Sequence, residues 1–195
     1  MKENLIEQFI SQKRISSYTD MDEYITNLTF SKSSYIPLSV LEIALRNAIN
    51  RFLSYVVGEQ WYEDTNFLTQ DSIRKVEEAK RVLQSRRENP SKDKIIAELS
   101  FGFWVNLFKK PYDKKLRIKE LKKIFPNLPN ANEKLINREV LFRELNHIRN
   151  FRNRVFHYEK VINKDNYNNV HDEIFEILSY FANELREFAL KANKL

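Results

Sequence analysis

The residue types able to do chemistry gather in one segment, INREVLFRELNHIRNFRNRVFHYEKV, spanning 136–161. At about 100° per residue, Leu141, Leu145, Ile148 and Val155 form an apolar helical stripe. Arg152 falls in the middle of that stripe, where a leucine would be expected. Asn146, Arg149, Asn153 and His157 line up along its flank. Asn153 and His157 are one turn apart and can address the same group. An arginine aimed into an apolar seam needs a carboxylate partner or an anionic ligand, because an unpaired buried charge is too costly.

A matching anomaly sits earlier in the chain. The stretch after Pro37 places Leu38, Leu41, Leu45, Ile49, Phe52 and Val56 at spacings of three and four, which predicts a helix over 38–56. Glu42 lies close to this stripe, and Arg46 follows one turn later. A carboxylate and an arginine facing the core on separate helices have two readings. One is a polar centre within a bundle; the other is a buried Glu42–Arg152 ion pair that fixes helix register.

Other reactive side chains offer less. His147 is on the far side of the motif helix, His171 is at the start of the last helix, and the three histidines lack metal-ligand spacing. No glycine-rich phosphate loop is present. Neither a metal nor any other cofactor is expected. Phe101, Phe103 and Trp104 read as core rather than as base-stacking platforms, Glu98 beside them is ambiguous, and Lys122 and Lys123 belong to a solvated or RNA-contacting face.

The elements that must position these groups are helices. Among 195 residues there are only two glycines and five prolines, too few for an all-β fold, and a 42% hydrophobic content is enough for a core. Asp20 caps a short helix through Leu28, and Gly58 ends the helix that begins at Leu38. Further helices are predicted from Asp71 to about Arg86, from Ser91 or Asp93 through ELSFGFWVNLF, from about Glu133 to His157, and from Asp165 onwards. The expectation is one all-α domain over 1–195, a bundle of four or five principal helices with additional short ones.

Charge and composition narrow the partners. The net charge is +6, yet the stretch from Lys109 to Lys160 carries 15 Lys/Arg against 6 Asp/Glu. Such a block suits a polyanion such as nucleic acid, or is a solvated helix face. With no cysteine there is no disulfide and no thiolate metal site. The first residues, MKENLIEQFISQ, are broken by Glu3, Asn4, Glu7 and Gln8, and no apolar run approaches a bilayer's thickness. The cytoplasm is the expected compartment, with no membrane partner.

Three segments carry a resemblance. Arg152-Asn153-Arg154-Val155-Phe156-His157 fits the R-N-x-x-x-H pattern of the HEPN superfamily of helical ribonucleases. Requiring Asn directly after Arg makes chance occurrence rare, on the order of one in a hundred chains. LEIALRNAINRF (Leu41 to Phe52) resembles the early helix of the Abi-like, or abortive-infection, branch, and ELSFGFWVNLF (Glu98 to Phe108) its second signature. RNRVFHYE resembles the closing one, with Glu159 two residues after the histidine; members often have a second histidine where this chain has Tyr158.

The resemblance implies a HEPN-type helical bundle and a metal-independent endoribonuclease of a phage-defence or toxin system. In that chemistry the ribose 2′-OH attacks the adjacent phosphorus and leaves a 2′,3′-cyclic phosphate and a 5′-OH end. His157 is suited to moving the proton, Arg152 to the charge on the phosphorane, and Asn153 to holding the phosphate or the imidazole. Glu42, Arg46, Asn47, Arg149 and Glu159 are expected in support or on the RNA. The implied partners are RNA, a second copy paired through the motif helix, and an antitoxin or other regulator. The alternative is a non-catalytic RNA-binding module or a helical scaffold.

Overall fold

The computed structural model describes residues 3–194, so the expected domain exceeds it by Met1, Lys2 and Leu195, which lie outside the described residues. Within them the chain is all-α. Ten helices run in order as α1 (Glu3–Phe9), α2 (Gln12–Ile15), α3 (Met21–Val56), α4 (Gln70–Ser85), α5 (Lys92–Glu98), α6 (Phe101–Asn106), α7 (Ile118–Ile124), α8 (Arg138–Phe156), α9 (Val170–Phe181) and α10 (Asn183–Ala192). None of these is long and apolar enough to cross a membrane.

α3 dominates the architecture. Asp20 caps it as expected, its Oδ1 accepting from the Glu23 N–H at 2.7 Å. The helix does not stop near Leu28 or break at Pro37, however, but runs for 36 residues. Pro37 removes the N–H that would have bonded the Ser33 carbonyl. Nearby, the Ser34 and Ser39 hydroxyls donate to the Phe30 and Tyr35 carbonyls, each at 2.8 Å. Pro37 is itself buried in line with Leu38, Leu41, Leu45, Ile49, Phe52 and Leu53. Burial of that continuous face outweighs one missing bond. After Val57, Gly58 takes φ +125° and ends the helix.

Elsewhere three boundaries differ from the sequence reading. The segment through ELSFGFWVNLF is two helices: Leu99 is extended, Ser100 caps α6, and the Trp104 indole N–H donates to the Leu99 carbonyl at 3.2 Å. α8 begins at Arg138 rather than near Glu133, because the Asn137 side chain caps it through the Val140 N–H at 2.9 Å. The final helix is split as well. Asp165 starts a 3₁₀ turn over Asp165–Tyr167, and extended Ala182 separates α9 from α10. The Tyr180 carbonyl there accepts from the Asn127 N–H at 2.9 Å, which ties the break to the loop after α7.

One core joins these elements. Leu41 and Leu45 of α3, Trp104 and Val105 of α6, Leu141, Leu145, Ile148 and Phe151 of α8, and Ile174 and Leu178 of α9 are all fully buried. Phe101, Phe103 and Trp104 are core residues, as the sequence reading expects. With α8 packed between α6, α9 and the middle of α3, one of its edges is left against α3, and the polar motif residues lie on that edge.

Candidate functional site

Neighbouring residues of α3 and α8 meet in antiparallel order along this edge. Tyr35 stands against Phe156, ring centroids 5.8 Å apart. Two turns further along α3, Glu42 Oε2 lies 3.4 Å from Arg152 Nη2. The Arg152 guanidinium also rests over the Phe156 ring, 4.3 Å from its centroid. Arg149 closes the row: its Nη1 donates to Asn106 Oδ1 of α6 at 3.3 Å, and its stem crosses Gly102, where an added Cβ would touch Arg149 Cδ at 3.5 Å.

The expected place of Arg152 in the middle of the apolar seam is corrected. Over the last turns of α8 the buried face rotates towards Phe151 and Val155. Phe151 packs edge-on to Phe30 and lies 5.1 Å from Tyr167. Arg152 is left at the rim, its side chain 30% exposed beside a Glu42 side chain that is 27% exposed. Its guanidinium is partly covered: the plane packs on Phe156 and Nε is buried without a hydrogen-bond partner among the described residues, while the rest of the side chain reaches the rim. The Glu42–Arg152 pair anticipated from sequence is present, but at a half-buried edge rather than in the core.

Asn153 and His157 are exposed on the same side of the helix end, with the His157 N–H donating to the Asn153 carbonyl at 2.9 Å. The C-terminus of α8 is a Schellman cap. The Glu159 N–H bonds the Arg154 carbonyl at 2.9 Å and the Tyr158 N–H bonds the Val155 carbonyl at 3.1 Å. Tyr158 fills the position that usually holds glycine and adopts φ +57°. Arg14 of α2 donates to the Tyr158 carbonyl and fixes the turn from outside.

The remaining expected residues divide. Arg46 is half-buried, and its Nε donates to Asn47 Oδ1 at 3.3 Å, not to Glu42. Asn47 faces a different groove, one lined by Ile43, Phe181 and Phe188. Glu159 pairs with Arg154 at 2.7 Å rather than with Arg152, although its carbonyl accepts from buried Asn27 at 3.3 Å. Asn27 is a residue that sequence reasoning missed. Its Oδ1 takes the Val161 and Ile162 N–H groups at 2.8 and 3.3 Å, and so holds the segment after the motif against α3. Its signal was a polar side chain on the inward face of α3, seven residues before Ser34, which is equally buried.

The other histidines have structural partners. His147 lies tilted against Tyr167, ring centroids 5.4 Å apart, and 3.4 Å from Glu173. His171 stacks on Phe30 at 4.7 Å and shares a 2.7 Å hydrogen bond with Ser34, and its burial pushes the imidazole below the usual histidine range. Part of the basic block is structural too. Lys115 donates to the Asn66 and Phe67 carbonyls at 2.8 Å, and Arg138 pairs with Asp113 at 2.7 Å. Lys122 and Lys123 of α7 are exposed. No family model, no characterised protein and no solved structure matches this chain.

Proposed function

We propose that this protein is a metal-independent endoribonuclease of a phage-defence or toxin system, of the HEPN and Abi-like kind, acting through Arg152, Asn153 and His157. The observation that carries the reading is the joint presentation of these three side chains at the end of α8. Asn153 and His157 are open to solvent one turn apart, and the Arg152 guanidinium sits at the rim of the same helix end, between Glu42 and the Phe156 ring. Glu42 takes one Nη2 N–H of Arg152 and orients the plane; with Nε buried, the remaining Nη donors are the ones left for a phosphate.

In this reading His157 accepts the 2′-OH proton as the oxygen bonds to phosphorus, or gives a proton to the departing 5′ oxygen. The P–O5′ bond breaks, and the products are a 2′,3′-cyclic phosphate and a 5′-OH end. Arg152 stabilises the charge on the non-bridging oxygens, and Asn153 positions the phosphate. One copy offers one imidazole at the motif. A second copy meeting it across the exposed flank of α8 would supply the other proton-transfer group, so a homodimer in the cytoplasm belongs to the proposal, with an antitoxin or other regulator to hold it silent.

The Glu42–Arg152 pair also favours a second reading, in which the motif fixes helix register in a non-catalytic RNA-binding or scaffold module. Total RNA incubated with the protein in EDTA separates the two. The ribonuclease reading expects cleavage with cyclic-phosphate ends. Intact RNA under all conditions moves the assignment to the binding module.

A further inference from the structure

We infer that the cleft between α3 and the capped end of α8 is a base-stacking subsite for single-stranded RNA, which places the nucleotides flanking the scissile phosphate. This rests on the proposed reading that RNA is the substrate. The cleft has a volume of about 790 Å³ and is lined by Leu28, Lys32, Tyr35, Phe156, Tyr158 and Lys194, among others. Among the described residues its lining includes two lysines and no carboxylate side chain. Three aromatic rings reach solvent there: Tyr35 is 57% exposed, Tyr158 69% and Phe156 37%. Soluble domains rarely leave such rings together in the open without a use for them.

The pairing of aromatic faces with lysines is what a single strand requires, because bases stack on rings and phosphates follow the cations. Aromatic rings are common to RNA and protein interfaces, but the two lysines favour a phosphate backbone, since lysine is depleted at the centres of protein interfaces. Position decides further. Phe156 and Tyr158 flank His157 in sequence, and the Arg152 guanidinium lies on the Phe156 ring, so the cleft continues the motif face.

Tyr158 is held in an uncommon backbone setting. A bulky side chain at φ +57° is strained, and the Schellman turn it occupies is one that glycine would fill without cost. Its ring is nevertheless the most exposed of the three and does not serve the core. The Schellman turn after α4 holds Arg87 at φ +58° in the same way, so it is the exposed ring of Tyr158, not its backbone, that points to a ligand.

The experiment measures anisotropy of a short fluorescein-labelled single-stranded RNA, using the full chain with His157→Ala so that cleavage does not interfere. In that background Tyr158→Gly removes the ring and the strain together. It is expected to raise the thermal midpoint while weakening RNA binding roughly tenfold, and Tyr158→Phe should restore binding. Tyr35→Ala should weaken binding similarly, and Lys32→Gln should lower the salt slope by about 0.7. A duplex of the same sequence should bind less well. RNA bound with unchanged affinity by both Tyr158→Gly and Tyr35→Ala overturns the subsite and leaves the ribonuclease reading standing. RNA bound through the cleft but never cleaved by the wild type supports base stacking there, while overturning both the ribonuclease and the cleft's role beside a scissile phosphate. Loss of self-association in sedimentation, with RNA affinity unaltered, makes the occupant a second copy and overturns the proposal. No RNA binding by any form overturns both.

Discussion

Glu42 Oε2 stands 3.4 Å from Arg152 Nη2, and through this contact the long α3 meets the helix that carries the motif. Both side chains are about 30% exposed, at 27% and 30%, so solvent screens the pair. Glu42→Gln should therefore cost about 1 kcal/mol rather than the several expected of a fully buried pair. Chemical denaturation of Glu42→Gln, Arg152→Lys and the double variant would measure the coupling directly. Additive losses would show that the contact does not hold the helices together.

Asn27 is expected to matter more to stability than the ion pair. It is 1% exposed, and its side chain serves the Val161 and Ile162 N–H groups and the Glu159 carbonyl. Asn27→Leu strands these groups in an apolar setting and should cost about 2–4 kcal/mol. Asn27→Gln keeps both the amide donor and the acceptor and should cost less. Equal losses for the two would mean that side-chain volume, not hydrogen bonding, sets the effect.

Tyr158→Gly should stabilise the protein by about 1 kcal/mol, or roughly 2–4 °C in thermal midpoint for a chain of this size. A lower midpoint would show that the tyrosine ring contributes packing that outweighs its backbone strain.

Acid should loosen the segment after the motif through Glu23. A short hydrogen bond from Lys160, the Thr19 N–H and the Asn163 amide hold this carboxyl down to about 2, against an ordinary value of 4.5. The folded pKa is below the unfolded one, so the stabilisation is fully present above about pH 4.5 and is lost as pH falls towards 2. Denaturation curves across that window should fall more steeply for the wild type than for Glu23→Gln. Parallel curves would rule Glu23 out as the sensitive group.

Much of this architecture was legible in the residues. The spacing of Leu38, Leu41, Leu45 and Ile49 gave the buried face of α3, and the scarcity of glycine and proline gave the all-α class. Pro37 misled because its local penalty is easy to see, whereas the burial that outweighs it exists only once α3 is packed. The break at Ala182 has no proline or glycine to mark it and depends on the Tyr180 carbonyl meeting Asn127. At the site, a regular helical period put Arg152 in the seam. The pull of Phe30 and Tyr167 on Phe151, set by distant segments, moved it to the rim. Glu42 facing Arg152 was readable from the two helical faces; the aromatic cleft was not, since Tyr35 and Tyr158 become neighbours of one groove only in three dimensions.

The central claim is that His157 carries a proton in RNA cleavage, and a rate comparison tests it most directly. Purified wild type and His157→Ala, matched in circular dichroism and thermal midpoint, are incubated with the same RNA in EDTA and the initial rates compared. The expected result is a loss of about 10²-fold or more in His157→Ala, with cyclic-phosphate ends on the wild-type products. Equal rates for the two proteins would contradict the account and place the cleavage at another site.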